Sequence, residues 1–172
     1  MDVTLRELST VDAEAYYHLR LEALQKEPES FAESPGEFTS NSIETIRKQI
    51  DDWKQLGAFA IGAFYPGNEL IGMVGVYRYP REKTKHRGKV WGVFITENYR
   101  GTGISKQIFK SVIQKAKKSK DFVQLELEVG VNNITALHLY KTLGFEICGR
   151  QLRALKVEHT YIDEYLMVMK IR

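Results

Sequence analysis

Apolar residues recur along this chain in two rhythms, and the switch between them marks its elements. Tyr16, Leu19, Arg20, Ala23 and Leu24 follow helical spacing behind the caps Ser9, Thr10 and Asp12, which predicts a helix over 11–26. A short strand over 3–7 precedes it. Pro28 and the Ser34-Pro35-Gly36 cluster interrupt the pattern and read as a loop. A second helix begins near Ser42, with Ile43, Ile46, Ile50 and Trp53 on one face and Gly57 at its end. The texture then becomes strand-like over 59–65, turns at Pro66-Gly67-Asn68, and resumes over 70–79 and 90–95. Ile104, Ile108, Phe109, Val112, Ile113 and Ala116 restore the helical period. Val123, Leu125, Leu127 and Val129 alternate with Gln124, Glu126 and Glu128, the signature of a strand. Asn132-Asn133 caps another helix that carries Ala136, Leu137, Tyr140 and Leu143 and stops at Gly144. Two strands follow, over 146–155 and 161–170.

The order is therefore strand, two helices, three strands, helix, strand, helix, two strands. The strand–helix–strand passage from Val90 to Val129 requires one parallel crossover, and the meander before it requires antiparallel pairing, so the sheet is mixed. The 172 residues, 43% hydrophobic and 27% charged, suit one folded domain. No apolar run approaches the roughly 20 residues of a membrane span. The opening residues are too polar for a secretory signal, and the single Cys148 reads as a small buried or half-buried residue. A cytoplasmic location is the expectation. A net charge of +3 is too small for a nucleic-acid binder, and no aromatic–basic sheet signature for RNA is present. The four histidines lack metal-ligand spacing, so no metal is expected, and His138 reads as a surface residue. Positive charge does cluster between Arg78 and Lys89, where it could draw in an anionic ligand, and between Lys115 and Lys120, which reads as a solvated helix end.

The turn Tyr99-Arg100-Gly101-Thr102-Gly103-Ile104 joins a strand to a helix. Glycines there permit positive φ and let a ligand approach the backbone. Free N–H groups at the helix start favour phosphate, and Arg100 adds a fixed charge. The turn is no Walker loop, since no Gly-Lys-Ser/Thr follows. Lys106 stands where a dinucleotide fingerprint needs its third glycine. By itself such a turn serves geometry as readily as it serves a ligand.

The surroundings tip that balance. The turn resembles the Arg/Gln-x-x-Gly-x-Gly/Ala signature of the GNAT superfamily of N-acetyltransferases, with Arg100 and Gly103 in fixed positions and Ser105 replacing the usual Gly or Ala. Further on, Asn133, Ala136, Leu139, Tyr140, Gly144 and Phe145 match the superfamily's Asn-x-x-Ala-x-x-Leu-Tyr-x-x-x-Gly-Phe helix. Arg20-Leu21-Glu22-Ala23-Leu24 and Pro28-Glu29-Ser30-Phe31 are similar to segments of many bacterial members, and the element order fits over essentially the whole chain.

The resemblance implies a single domain over 1–172: a mixed, mostly antiparallel α/β sheet with helices on both faces and a splayed parallel strand pair. Acetyl-CoA would be the cosubstrate. Its pantetheine arm would run along Val93, Phe94 and Ile95, and its pyrophosphate would rest on Arg100, Gly101, Thr102, Gly103, Ile104 and Ser105. Asn133 would bond the arm or a water. Tyr140 would protonate the departing thiolate. The base is open between Glu126 and Glu128 on one strand face, with Glu126 carried forward beside Tyr140 as a catalytic candidate. A salt-bridged strand face explains both glutamates as well. Tyr77, Tyr79 and Trp91 could line an acceptor pocket or simply pack, and Asp163 or Glu164 could hold a second cationic group or be surface charge. The expected partner is a small-molecule amine, with no nucleic acid and no membrane. Acetylation of a protein N-terminus, a non-catalytic acyl-CoA-binding module, and a homodimer through the C-terminal strands stay open.

Overall fold

The computed structural model describes residues 2–172. In chain order they form β1 (Thr4–Glu7), α1 (Ala13–Lys26), α2 (Pro35–Thr39), α3 (Ile43–Leu56), β2 (Phe59–Tyr65), β3 (Glu69–Arg78), β4 (Arg87–Ile95), α4 (Ile104–Ser119), β5 (Gln124–Gly130), α5 (Ile134–Leu143), β6 (Glu146–Val157) and β7 (Thr160–Lys170). The strands make one sheet in the order β1-β2-β3-β4-β5-β7-β6. Only β4 and β5 pair in parallel; every other neighbouring pair is antiparallel.

Strand alternation sends side chains to two separate cores. On one face Ala60, Phe64, Met73 and Phe94 meet Tyr16, Leu19, Ala23 and Leu24 of α1 and Ile46 and Ile50 of α3. On the other, Ile61, Ile71, Val74, Leu125, Leu127 and Met167 meet Ile108, Phe109 and Val112 of α4, together with Tyr140 and Phe145. The sheet is thus covered on both faces as the sequence predicts.

Three local differences have physical causes. Residues 35–39, read as loop, form α2. Pro35 sits in the first helical turn, and Ser34 and Glu37 cap one another, with the Ser34 N–H and Oγ each 2.8 Å from Glu37 Oε2. β4 starts at Arg87, inside the basic stretch, because Arg87–Lys89 pair with β5 on one side and Gly88–Lys89 with β3 on the other. Cys148, expected at least half-buried, is exposed because β6 is the sheet's edge strand.

The entry to α1 is held by a buried charge. Asp12, 2% exposed, accepts from Arg6 Nη1 and Nη2 at 2.8 and 2.7 Å and from the Ser9 N–H at 2.9 Å. Burial by itself would raise the Asp12 carboxyl, but these donors outweigh it and hold it below the usual carboxylate range. Its stabilisation is therefore full above about pH 4, the unfolded value, and drains as pH falls through the lowered native one. Asp12→Ala should cost about 2 kcal/mol. That is less than the roughly 3–5 of a fully buried pair, because Arg6 stays partly solvated. Urea unfolding at pH 7 and pH 3 checks this: the deficit should shrink at the lower pH.

Candidate active site

β4 ends at Ile95, and one tight turn, Glu97–Tyr99, leads into the glycine stretch. Gly101 and Gly103 take φ of 73° and 83°, and α4 begins at Ile104. A Cβ on either glycine would meet nothing within 4 Å, so the turn is open to an approaching group. The first intrahelical bond is from the Gln107 N–H to the Gly103 carbonyl, and the N–H groups from Gly101 to Lys106 have no backbone partner. Among the described residues this row of free donors at a helix start forms a cradle of the kind that suits an anion. The Thr102 hydroxyl turns back to the Tyr99 carbonyl at 2.6 Å and Ile104 is buried, so both offer the cradle backbone only. Arg100 does not stand free: Nε donates to the Ile95 carbonyl at 2.9 Å and Nη1 pairs with Glu27 at 2.8 Å, tying the turn to the end of α1.

Beside the cradle the sheet opens. β4 and β5 pair only at Arg87–Gln124, Gly88–Leu125 and Lys89–Glu126; beyond these, β4 continues to Ile95 and β5 to Gly130 without each other. Gly92, at φ 64°, belongs to a bulge where the β3–β4 register shifts, which re-aims β4 just after the pair parts. The resulting cleft of about 700 Å³ is lined by Val93, Phe94, Ile95, Arg100, Gly101 and Ser105 on one side and by Asn133 and Tyr140 on another. Asn133 Oδ1 accepts from the Ala136 N–H at 3.1 Å and caps α5, leaving its amide N–H₂ unused. The Tyr140 ring is buried against Phe109 and Phe145, at 5.5 and 6.1 Å between centroids. No protein group bonds its hydroxyl among the described residues, and burial pushes the phenol well above its ordinary value.

The far half of the cleft is lined by Lys89, Trp91, Glu128, Glu164 and Tyr77, together with residues 30–33 and Arg20. Glu126, the glutamate carried forward from the sequence, is elsewhere. Its carboxylate is gripped by Arg87 Nε and by Arg87 Nη2 at 2.7 Å, with Gln124 at 2.6 Å and the Tyr79 hydroxyl at 3.4 Å, and it does not line the cleft. Desolvation opposes its ionisation, but these bonds prevail and hold it low, so it is a poor proton acceptor. Asp163 likewise faces away, bonded to Arg150 at 2.7 Å and to the Arg153 N–H at 2.8 Å. Glu164 behaves differently: half-buried in the cleft, it forms no ion pair among the described residues. Desolvation raises its carboxyl, and the charge of Lys89 lowers it only in part. Lys89 contacts Glu128 directly, and burial lowers its ammonium. Strand alternation alone placed Glu126 and Glu128 together; which of them meets an arginine depends on the β4 register, which a single sequence does not carry.

The family model for the acetyltransferase (GNAT) family matches residues 18–145. The chain belongs to this family. It is 32% identical over 112 residues to the spermine/spermidine N(1)-acetyltransferase of Bacillus subtilis, covering 62% of this chain and 72% of that protein. It is 30% identical over 114 residues to N-alpha-acetyltransferase 30 of Saccharomyces cerevisiae, covering 65% of this chain and 64% of that protein. A GNAT-family acetyltransferase from Streptococcus pneumoniae superposes with a TM-score of 0.89 at 24% identity, over 99% of this chain and all of that one. An acetyltransferase from Salmonella typhimurium, solved with its cofactor acetyl-CoA, superposes at 0.86 with 12% identity, over 100% of this chain and 95% of that one. The fold is shared throughout, and the chain is an acetyl-CoA-dependent N-acetyltransferase by family.

Burial of Tyr140 has a direct spectroscopic consequence. Tyrosinate absorbance compared between wild type and Tyr140→Phe should show no contribution from this phenol at about pH 10, where an ordinary tyrosine is half ionised. A half-ionised difference signal would mean that the hydroxyl is fully hydrated.

Proposed function

We propose that this protein acetylates the primary amine of a small molecule, with acetyl-CoA bound in the cleft between β4 and β5. The observation that carries this reading is the parted parallel pair. It opens an unpaired strand edge, a helix-start anion cradle and a buried phenol onto one cavity. The pyrophosphate is assigned to the N–H groups from Gly101 to Lys106. The pantetheine amides are assigned to the backbone of Val93, Phe94 and Ile95, as a peptide pairs with a sheet edge, and Asn133 to the arm or a water beside it.

The amine must be neutral to attack. Glu164 is the base in this reading, because it is the carboxylate that faces the cleft without a cation clamped to it. The nitrogen lone pair forms the C–N bond, charge gathers on the carbonyl oxygen, and the C–S bond then breaks. The thiolate takes its proton from Tyr140. Burial holds that phenol protonated, and the same dry surroundings raise the basicity of the thiolate forming beside it, which offsets the rise of the phenol. A small acceptor suits a cleft of about 700 Å³ in which residues 30–33 add to the lining. The spermine/spermidine relative belongs to that substrate class by its name.

Thiol release from acetyl-CoA with a panel of small amines, against peptide N-termini, tests the reading; a preference of more than about tenfold for peptides, near 1.4 kcal/mol, overturns it. Gly103→Val should weaken acetyl-CoA at least about tenfold by calorimetric titration while the fold survives. The branched side chain resists positive φ and projects into the open cradle without striking the protein. Glu164→Gln should lower kcat/KM by about 10²–10⁴. In wild type kcat/KM should fall as pH drops through the raised Glu164 value, where the base takes up its proton, and the variant should lose that limb.

A further inference from the structure

Arg20 holds, at Nη1, the one buried side-chain polar atom without a hydrogen-bond partner among the described residues. The residue is 9% exposed and lies on the face of α1 that buries Tyr16, Leu19, Ala23 and Leu24, where an apolar side chain would pack at lower cost. Its Nε and Nη2 both converge on a single oxygen, Glu33 Oε2, at 3.2 and 2.9 Å. The Phe31 ring lies over the guanidinium at 4.7 Å. One edge of a planar fork is thus occupied and the other is idle, and a buried donor left idle is destabilising. Arg20, Phe31 and Glu33 line the same cleft as Glu128 and Glu164.

We propose that Arg20 binds a carboxylate on the acceptor, so that the substrate class is an amino carboxylic acid. The inference rests on the acetyl-transfer reading above and deepens it. A guanidinium edge matches a carboxylate in shape and charge, and its donors are satisfied in pairs. The acidic side of the cleft suits the other end of such a molecule. Glu128 and Glu164 together outnumber Lys89, so an ammonium is drawn there while the carboxylate goes to Arg20. A polyamine brings only positive charge and leaves Nη1 idle. A peptide N-terminus offers a neutral carbonyl in place of the carboxylate.

The test uses α-, β- and γ-amino acids, each beside its primary amide and its decarboxylated amine, with thiol release from acetyl-CoA as readout. The best amino acid should exceed its decarboxylated partner in kcat/KM by at least about tenfold and exceed the amide by a smaller factor. Arg20→Gln should bring both ratios to about one, and Arg20→Lys should retain part of them. Equal or inverse ratios in the wild-type enzyme overturn the proposal without any variant. So does a uniform loss in Arg20→Gln with unchanged ratios, which would make Arg20 a clamp for the Glu33 loop only. Calorimetry with N-acetyl amino acids against N-acetyl amines, in the presence of coenzyme A, reads the same discrimination as binding. That measurement decides the role of Arg20 even if no amine turns over, the outcome that would instead sink the acetyl-transfer reading.

Discussion

β4 and β5 keep company for three residue pairs and then separate, and the cleft exists because of that separation. A parallel pair carried through to Ile95 and Gly130 would satisfy both strand edges and leave no room between them. Parting leaves β4 beyond Lys89 without a partner strand on that side, a cost tolerated where a ligand or water takes up its backbone groups. The bulge at Gly92 falls just beyond the last pair, where extra twist turns the strand aside. The helices complete the opening, with α4 presenting its free N–H groups at one end and α5 bringing Tyr140 to the wall.

Two kinds of polar group surround this opening, and the protein treats them differently. Glu126 and Asp163 are bonded on several sides and held ionised, so they organise the sheet and exchange no proton near neutrality. Tyr140 and Glu164 have no such partners, and desolvation pushes both toward their neutral forms. Perturbed groups of this kind gathered in a cleft mark a candidate functional site. Arg20 falls in neither class: it is charged, buried and, among the described residues, only partly paired.

The stretch over residues 27–33 ties the lining of the cleft to the N-terminal helices. Residues 27–33 leave α1, turn at Pro28–Ser30 and cross the end of β5, where the Glu29 carbonyl lies close to Gly130. Glu27 at one end of the segment holds Arg100 of the anion cradle, and Glu33 at the other holds Arg20. The glycine turn and the far half of the cleft are therefore joined through one short stretch of chain.

Much of this was legible in the sequence. Period and punctuation located both long N-terminal helices, the meander, the crossover and the C-terminal hairpin, because hydrophobic spacing and caps are local properties. The glycine turn and the Asn133–Phe145 helix, read together as a resemblance, named the family and drew attention to Tyr140. The short α2 was missed because proline and glycine read as breakers even where Ser34 and Glu37 cap a turn of helix. What the sequence left open was which charges meet. Glu126 and Glu128 are indistinguishable by alternation, yet one faces Arg87 and the other Lys89. Glu164 is isolated in the cleft while its neighbour Asp163 is bonded outside it. Those outcomes depend on the registers of β4 against β5 and of β7 against both its neighbours. Registers are set by contacts between residues far apart in the chain, so the sequence determined the elements and the family, and the tertiary structure decided which side chains line the cleft and which are bonded outside it.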